Sequence, residues 1–221
     1  MKNMKWVGLI VSVLVLGACA QPATPNAQHI SAGEMHSIRV GKIHKLAVKA
    51  CTQSSKLQCV TQPFTVTLTK RNGSKWKRIF DPPIPVIHNE DITVFAGQTL
   101  NIEATPGKNG KLTHLKLVQK VTHPDSTLIV KLEQASGKEM ILNIHNPFPH
   151  SLLYKAEIRP LDAGFSDTKA EILPVDAGFS ATDVCPVGPK LENFESWPGP
   201  LFQVRLSDMR LANLKGKKVT C

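Results

Sequence analysis

Hydrophobic and polar residues alternate along much of the chain, and a period of two is typical of half-buried β-strands. The clearest case is FTVTLTK over 64–70, where Phe64, Val66 and Leu68 share one face and threonines occupy the other. Asn72-Gly73 follows, a dipeptide typical of hairpin turns. The segment KWKRIF then predicts a returning strand over 75–80, so residues 64–80 are predicted to form a β-hairpin.

Similar segments follow, separated by breaks rich in Gly, Pro and Asn: DPPIP, TPGKNG, THPDS, ASGK and NPFPH. The strands predicted between these breaks are ITVF (92–95), TLNIEA (99–104), LTHLKLV (112–118), TLIVKL (127–132), MILNIH (140–145), LLYKAEI (152–158) and LFQVRL (201–206). Many short strands with frequent turns favour an all-β fold, an antiparallel β-sandwich. One large sandwich and two small ones both remain open, with a possible boundary near residue 120.

Two longer segments bear on the kind of sandwich. The stretch ITVFAGQTLNIEATPG (92–107) resembles an immunoglobulin-like strand–turn–strand with Gly97 at the turn. The stretch MILNIHNPFPHSLLYKAEI (140–158) predicts two strands joined by an Asn-Pro turn, which is common in such sandwiches. The resemblance implies an immunoglobulin-like architecture for the sandwich.

The N-terminus predicts export. Two lysines within Met1–Lys5 precede the mostly apolar run Trp6–Leu16, which is far shorter than the about 20 residues of a membrane-spanning helix. The order Leu16-Gly17-Ala18-Cys19 resembles the lipobox of bacterial lipoproteins. That resemblance implies a signal peptide over 1–18 and acyl chains, palmitate among them, on Cys19. Residue 20 is not aspartate, so it also implies anchoring in the outer membrane, facing the periplasm or the cell surface.

Residues 19–33 are expected to be a flexible tether, which leaves 34–221 as the folded region. Cysteine usage fits this division, because assigning Cys19 to lipid leaves four of the five cysteines for pairing. Four cysteines allow three connectivities. Cys51–Cys59 and Cys185–Cys221 are favoured because they close local loops. A zinc site is the rival interpretation, but no C-x2-C pair supports it.

Charge is distributed unevenly along the chain. Residues 29–120 hold 14 Lys/Arg against 5 Asp/Glu, whereas residues 121–200 hold 6 against 11. The hairpin KRNGSKWKR concentrates the basic charge beside a tryptophan, a combination suited to phosphate, carboxylate or sugar. Its candidate ligand-binding residues are Lys70, Arg71, Lys75, Trp76, Lys77 and Arg78. The alternative is a solvated hairpin tip whose tryptophan packs into the sandwich.

One internal repeat is present: PLDAGFSD at 160–167 recurs as PVDAGFSA at 174–181. The offset is fourteen residues, so Phe165 and Phe179 would face the same side of an extended chain. A paired binding loop and a local duplication within a loop both account for the repeat.

Motifs for catalysis are missing: the sequence has no G-x-S-x-G, H-E-x-x-H or Gly-Lys phosphate loop. Its eight histidines include no H-x-H or H-x3-H pair, so neither a metal nor another cofactor is predicted. We therefore expect a non-enzymatic lipoprotein that binds a protein partner in a cell-envelope assembly. The alternative is a binder of an anionic lipid or glycan through the basic hairpin, and a hydrolytic enzyme comes third. No nucleic-acid partner is expected.

Overall fold

The computed structural model describes residue 51 and residues 56–135, 138–161 and 178–214, and structural statements below concern these residues. The predicted signal peptide, Cys19 and the tether over 19–33 lie outside them. The strands are β1 (Leu57–Val60), β2 (Phe64–Thr69), β3 (Lys75–Phe80), β4 (Ile84–His88), β5 (Asp91–Phe95), β6 (Thr99–Pro106), β7 (Leu112–Val118), β8 (Thr127–Gln134), β9 (Met140–His145), β10 (Ser151–Pro160), β11 (Ser180–Thr182), β12 (Glu192–Trp197) and β13 (Leu201–Ala212).

These strands form an all-β antiparallel sandwich. A six-stranded sheet has the order β1-β4-β5-β13-β10-β11, and a five-stranded sheet has the order β12-β9-β8-β6-β7. Both sheets combine strands from before and after residue 120, so the described strands make one sandwich. The hairpin β2–β3 forms a third, two-stranded sheet. The immunoglobulin-like resemblance of 92–107 stays a prediction.

The core arises from the alternation seen in the sequence. In β8 the buried Leu128, Val130 and Leu132 alternate with partly exposed residues, and β9 buries Leu142 and Ile144 in the same way. The facing sheet contributes a matching apolar set from its central strands: Ile92, Val94, Ala156, Val204 and Leu206. Apolar burial of this kind is the main favourable contribution to folding.

Two glutamines join separate sheets by imitating a backbone partner. The side-chain amide of Gln134 on β8 donates to the Thr69 carbonyl at 3.0 Å and accepts from the Thr69 N–H at 2.7 Å. Gln58 on β1 does the same to β7, donating to the Leu115 carbonyl and accepting from the Leu117 N–H at 2.7 Å. A primary amide offers a donor and an acceptor side by side, so each glutamine replaces one rung of a β-ladder.

The predicted disulfide Cys51–Cys59 is confirmed, with the two Cα atoms 5.9 Å apart. It ties the segment before β1 to the middle of that edge strand. Cys185 is also disulfide-bonded, but its predicted partner Cys221 lies outside the described residues. Disulfides of this kind stabilise the folded state in part because they restrict the conformations of the unfolded chain.

The nine strands predicted from alternation are present, whereas β1, β4, β11 and β12 were missed. The segment DPPIP was predicted to be a break, and this is wrong for its end, because β4 begins at Ile84 and contains Pro85. Proline has no N–H to give to a ladder. The structure accommodates Pro85 opposite Cys59, where the β1–β4 register shifts by a bulge.

Two predicted strand–turn–strand segments turn out to cross between the sheets. The turn at Gly97 (φ 82°) leads from β5 in one sheet to β6 in the other, and the Gly97 N–H donates to the Leu132 carbonyl. The Asn-Pro segment after β9 likewise leads to β10 in the opposite sheet. Asn146, with 0% of its surface exposed, holds this second crossing in place.

Three carboxylates have a pKa that is lowered first by a hydrogen bond from a neighbouring side chain. His123 Nδ1 lies 2.9 Å from Glu103 Oε1, and this hydrogen bond holds the pKa of Glu103 below its ordinary value. The two other pairs lower the pKa of their carboxylates in the same way, Lys190 with Asp125 at 2.6 Å and Lys155 with Asp208 at 3.2 Å. Each pair therefore favours the folded state only while its carboxylate is ionised.

We expect the free energy of unfolding to fall as the pH drops below about 4.5. A carboxylate with a lowered pKa in the folded state adds stability above its unfolded pKa, ordinarily 4.5 for Glu103. That stability is lost as the pH falls through the folded value. Urea unfolding at pH 7 and pH 3 measures the change, and Glu103→Gln should show a smaller one. An equal loss in Glu103→Gln would exclude a contribution from this carboxylate.

Candidate functional site

The basic hairpin exists as predicted, and its loop sets which side chains face outward. The Gly73 N–H donates to the Lys70 carbonyl at 2.9 Å, and the Lys70 N–H donates to the Ser74 carbonyl at 2.8 Å. Gly73 adopts φ 87°, a value that glycine reaches at no steric cost. The Asn72 side chain accepts from the Ser74 N–H at 3.0 Å and closes the turn.

Trp76 lies inside this hairpin and is only 8% exposed, so its predicted role as a surface platform for a ligand is wrong. It pairs with the buried Leu68, and residues opposite each other in an antiparallel pair point to the same side. Its ring packs edge-to-face against Phe202 of β13 at a centroid distance of 5.6 Å. The alternative, in which the tryptophan packs into the sandwich, describes its position.

An aromatic cluster surrounds this contact and fixes the hairpin to the sandwich. Phe64 stacks on Phe80 at 5.1 Å across the hairpin. Phe80 in turn lies 5.6 Å from Phe95 and 5.5 Å from Phe202, which belong to the six-stranded sheet. Offset and edge-to-face pairs of this kind add to the stabilisation that comes from burial alone.

Arg78 also points inward, contrary to its predicted place on a ligand-binding surface. It pairs with the fully buried Val66, and its guanidinium lies 5.0 Å from the Phe80 ring centroid. Burial lowers the pKa of Arg78. Burial, and then the charge of Arg78, lower the pKa of Arg159, which is 5% exposed on β10. Arg78 therefore belongs to the interior side of the hairpin.

Of the six predicted residues, Lys75 and Lys77 share the outward face of β3, while Lys70 and Arg71 lie at the loop. The outward face also carries Ile79, whose surface is 62% exposed. Lys75 Nζ donates to Thr69 Oγ1 at 2.6 Å. Neither β2 nor β3 contains an acidic residue, and in the described part of the chain Lys75 and Lys77 form no ion pair.

A second exposed feature was missed from the sequence, the edge of the five-stranded sheet at β12. Phe194, in the middle of this strand, is 61% exposed, and Leu191 just before it is 58% exposed. β12 pairs with β9 along one side, and no strand of the described residues pairs with its other side. We call this free side, together with Phe194 and Leu191, the β12 edge.

The inner face of β12 is fixed from behind. Glu195 Oε1 accepts from the Cys185 N–H at 2.7 Å and from Asn193 at 3.1 Å. The Trp197 indole N–H donates to Thr182 Oγ1 at 3.1 Å. These bonds hold the strand while its outer face, with Phe194, remains accessible. The flanking Gly-Pro and Pro-Gly pairs at 188–189 and 198–199 were the available signal for this strand.

The second copy of the internal repeat packs against arginines. The Phe179 ring centroid lies 4.7 Å from the Arg205 guanidinium and 5.8 Å from that of Arg159. Arg205 Nε donates to Glu157 Oε2 at 2.6 Å. Phe179, directly before β11, is thus held against β10 and β13 by cation–π contacts with these two arginines. Phe165, in the first copy, lies outside the described residues.

The described residues contain neither a metal-binding cluster nor a membrane-spanning helix. They contain no group of three or more His, Cys, Asp or Glu side chains arranged to hold a metal ion. Their helical segments include none with the length and apolar character needed to cross a membrane. Comparison of the whole chain with protein-family models, curated proteins and solved structures gives no match.

Proposed function

We propose that this protein is a non-enzymatic lipoprotein of the cell envelope that binds a protein partner through the β12 edge. The observation that carries the proposal is Phe194, a large apolar side chain exposed at the centre of an edge strand. Soluble proteins commonly protect such edges with lysine, proline or a bulge. β12 contains no lysine or proline, and its pairing with β9 runs without a bulge. Its two charged residues are Glu192 on the outer face and the inward Glu195, which accepts hydrogen bonds from Cys185 and Asn193.

The chemistry of the β12 edge suits the addition of a strand from the partner. Unpaired backbone groups give affinity in this mode of recognition, and pockets for alternate side chains give specificity. Phe194 projects from the outer face of the sheet, where it would insert into an apolar pocket of the partner. Glu192 is exposed on the same face. The partner is therefore expected to have an apolar pocket for Phe194 beside the added strand, and a basic residue near Glu192.

The proposed anchor is the lipid on Cys19, which would hold the sandwich at the outer membrane through a tether. The disulfide between Cys51 and Cys59 supports an oxidising compartment outside the cytoplasm. One acyl chain gives only reversible membrane binding, so stable anchoring needs more than one. The resemblance to the lipobox implies several chains on this residue.

Photocrosslinking in living cells tests the proposal. A photoreactive residue replaces Phe194 in the anchored protein, and another replaces Thr105, an exposed residue on β6 of the same sheet. One protein captured at fixed stoichiometry from position 194, and absent from position 105, supports the partner. Equal capture from both positions, or capture of another copy of this chain alone, would contradict it. Cys19→Ser should release the protein from the membrane fraction.

We expect Phe194→Ala to weaken binding of the captured partner by about 30-fold or more, since a central aromatic anchor is worth about 2 kcal/mol. Surface plasmon resonance with the purified partner measures this change. The matched control is Ile79→Ala, which removes an equally exposed apolar side chain from a different strand. The free energy of unfolding should change by less than about 0.5 kcal/mol in both variants. Unchanged affinity in Phe194→Ala would exclude the β12 edge.

A second function is favoured by a separate observation: Lys75 and Lys77 project together from one face of β3 without a carboxylate on either hairpin strand. Such a face attracts anions. The second proposed function is therefore the binding of an anionic envelope ligand through the outward face of the hairpin. Trp76 and Arg78 support this face from inside and make no contact with the ligand.

A further inference from the structure

We infer that the outward face of the hairpin, defined by Lys75, Lys77 and Ile79, lies against the surface of an anionic lipid bilayer. The inference rests on the second proposed function and names its ligand as a membrane surface, as distinct from a soluble phosphate or glycan. Three properties of the face carry it: its charge, its exposed apolar residue and its rigid support.

The charge of the face has one sign. Lys75 and Lys77 are two residues apart on β3, and both point away from the sandwich. Thr67 lies opposite Lys77 on the neighbouring strand. Lys75 is held in place by its hydrogen bond to Thr69 Oγ1. Basic residues beside a membrane are attracted by anionic headgroups over a distance of about one Debye length.

Ile79 distinguishes a bilayer from a soluble anion. This side chain is 62% exposed and lies on the same face of β3 as the two lysines. A phosphate or a glycan gains little from contact with an isoleucine. Binding at a membrane surface, in contrast, combines electrostatic attraction with burial of apolar side chains at the boundary between headgroups and acyl chains. Lysine stems can lie along that boundary while their ammonium groups stay among the headgroups.

The face is also supported rigidly from behind. Phe64 and Phe80 on the inward side pack on Phe95 of the six-stranded sheet. At the loop, Lys138 Nζ donates to the Arg71 carbonyl at 2.5 Å. A surface that is ordered before binding loses less conformational entropy when it binds.

The lipid anchor proposed on Cys19 would make even a weak contact effective. Each lysine contributes little near a bilayer. Once the chain is anchored, however, contact between the hairpin and the same bilayer becomes intramolecular and is governed by the length of the tether. The hairpin would then set the orientation of the sandwich and hold one particular side toward the membrane.

The experiment uses the full lipidated protein, purified from membranes and reconstituted into vesicles. A fluorophore is attached at Thr67→Cys on the proposed face, or at Ser196→Cys on β12 as a control, and spin-labelled lipids quench it by contact. Vesicles of phosphatidylglycerol and phosphatidylethanolamine are compared with vesicles of phosphatidylcholine alone. The variants Lys75→Ser/Lys77→Ser and Ile79→Ser are tested on the Thr67 label. Lys108→Ser/Lys120→Ser removes the same charge from exposed positions elsewhere.

We expect the Thr67 label to be quenched several-fold more in the anionic vesicles, and the Ser196 label to be quenched equally in both. High salt, Lys75→Ser/Lys77→Ser and Ile79→Ser should each remove most of the difference, and the control pair should retain it. Equal quenching of Thr67 in both kinds of vesicle would overturn the inference.

Heparin, used as a soluble anionic probe, separates this inference from the second proposed function. One outcome would overturn the bilayer inference and leave a soluble anion as the ligand. In it, Lys75→Ser/Lys77→Ser loses heparin binding, and the label at Thr67→Cys is not quenched by lipid when both lysines are present. If the protein showed no heparin binding and its Thr67 label showed no quenching, both the bilayer inference and the second proposed function would be overturned. Quenching that Ile79→Ser leaves unchanged would overturn insertion of the apolar side chain.

Discussion

Replacing Trp76 with alanine is expected to lower the free energy of unfolding by about 3–5 kcal/mol. The indole is nearly enclosed, and it fills the space between Leu68 and Phe202. Its removal loses the transfer free energy of a large side chain and leaves a cavity that the surrounding β-strands can close only in part. Urea unfolding followed by far-ultraviolet circular dichroism gives the value.

The neighbouring residue provides the control. Lys77→Ser changes an exposed side chain on the opposite face of the same strand and should alter stability by less than about 0.5 kcal/mol. If Trp76→Ala kept native stability but no longer bound an anionic ligand, this result would contradict the core position of Trp76. It would instead support a role in stacking on the ligand. The pair of variants therefore separates the packing of the hairpin from its surface chemistry.

The sequence predicted this hairpin, but the side that Trp76 occupies depended on a register shift of one residue. A two-residue loop at Asn72-Gly73 would pair Thr69 with Trp76 and place the indole on the threonine face. The structure instead pairs Leu68 with Trp76, because the loop extends from residue 70 to residue 74. A slip of one residue moves every side chain of a strand to the other face, and the sequence alone did not specify the loop length.

Two of the missed strands, β4 and β12, lack the alternation of apolar and polar residues for identifiable reasons. β4 contains Pro85, and β12 alternates Asn, Glu and Trp on its inner face, with polar contacts in place of an apolar stripe. Hydrophobic periodicity identifies strands that bury an apolar face. Strands that are held by side-chain hydrogen bonds or accommodated by a bulge lack that signal. The candidate partner surface lies on such a strand, which is why alternation did not find it.

Local sequence also cannot distinguish a hairpin from a crossing between sheets. The segments around Gly97 and Asn146 were both predicted correctly as strand–turn–strand, yet each connects strands of different sheets. The choice is made by distant residues, since the Gly97 N–H bonds to the Leu132 carbonyl and Asn146 bonds to residues beyond 186. Both contacts join residues that are far apart in the sequence, so the local pattern does not specify them.

The two proposed surfaces differ in chemistry and belong to separate strands. The hairpin face is basic with one exposed isoleucine, whereas the β12 edge carries an exposed phenylalanine near Glu192. They also follow the charge asymmetry of the chain, which is basic over 29–120 and acidic over 121–200. Under the proposed functions, the hairpin face contacts a membrane and the β12 edge contacts a protein partner. Ile79→Ala and Phe194→Ala should therefore affect different binding measurements.

Asn146→Ala is expected to lower the free energy of unfolding by about 2–4 kcal/mol, because it leaves the buried Phe148 N–H without its partner and removes one hydrogen bond from each of three backbone carbonyls. The Asn146 amide donates to the carbonyls of His150, Val187 and Gly188 at 2.8, 3.2 and 2.9 Å, and its oxygen accepts from the Phe148 N–H at 3.0 Å. No aliphatic side chain supplies these bonds, and water has little access to a site that is 0% exposed.

Asn143→Ala is the matched control, since it removes the same side chain from the partly exposed face of β9 and should cost less than about 0.5 kcal/mol. Hydrogen exchange in Asn146→Ala should rise first over residues 187–197. The side-chain amide of Asn146, which the variant removes, donates to the carbonyls of residues 187 and 188. The backbone N–H of the same residue donates to the Leu191 carbonyl at 2.9 Å, just before β12. Native stability in Asn146→Ala, or exchange that rises equally throughout the sandwich, would contradict this local role. Faster exchange confined to this segment would show that the asparagine buried in the crossing also holds the β12 edge in place.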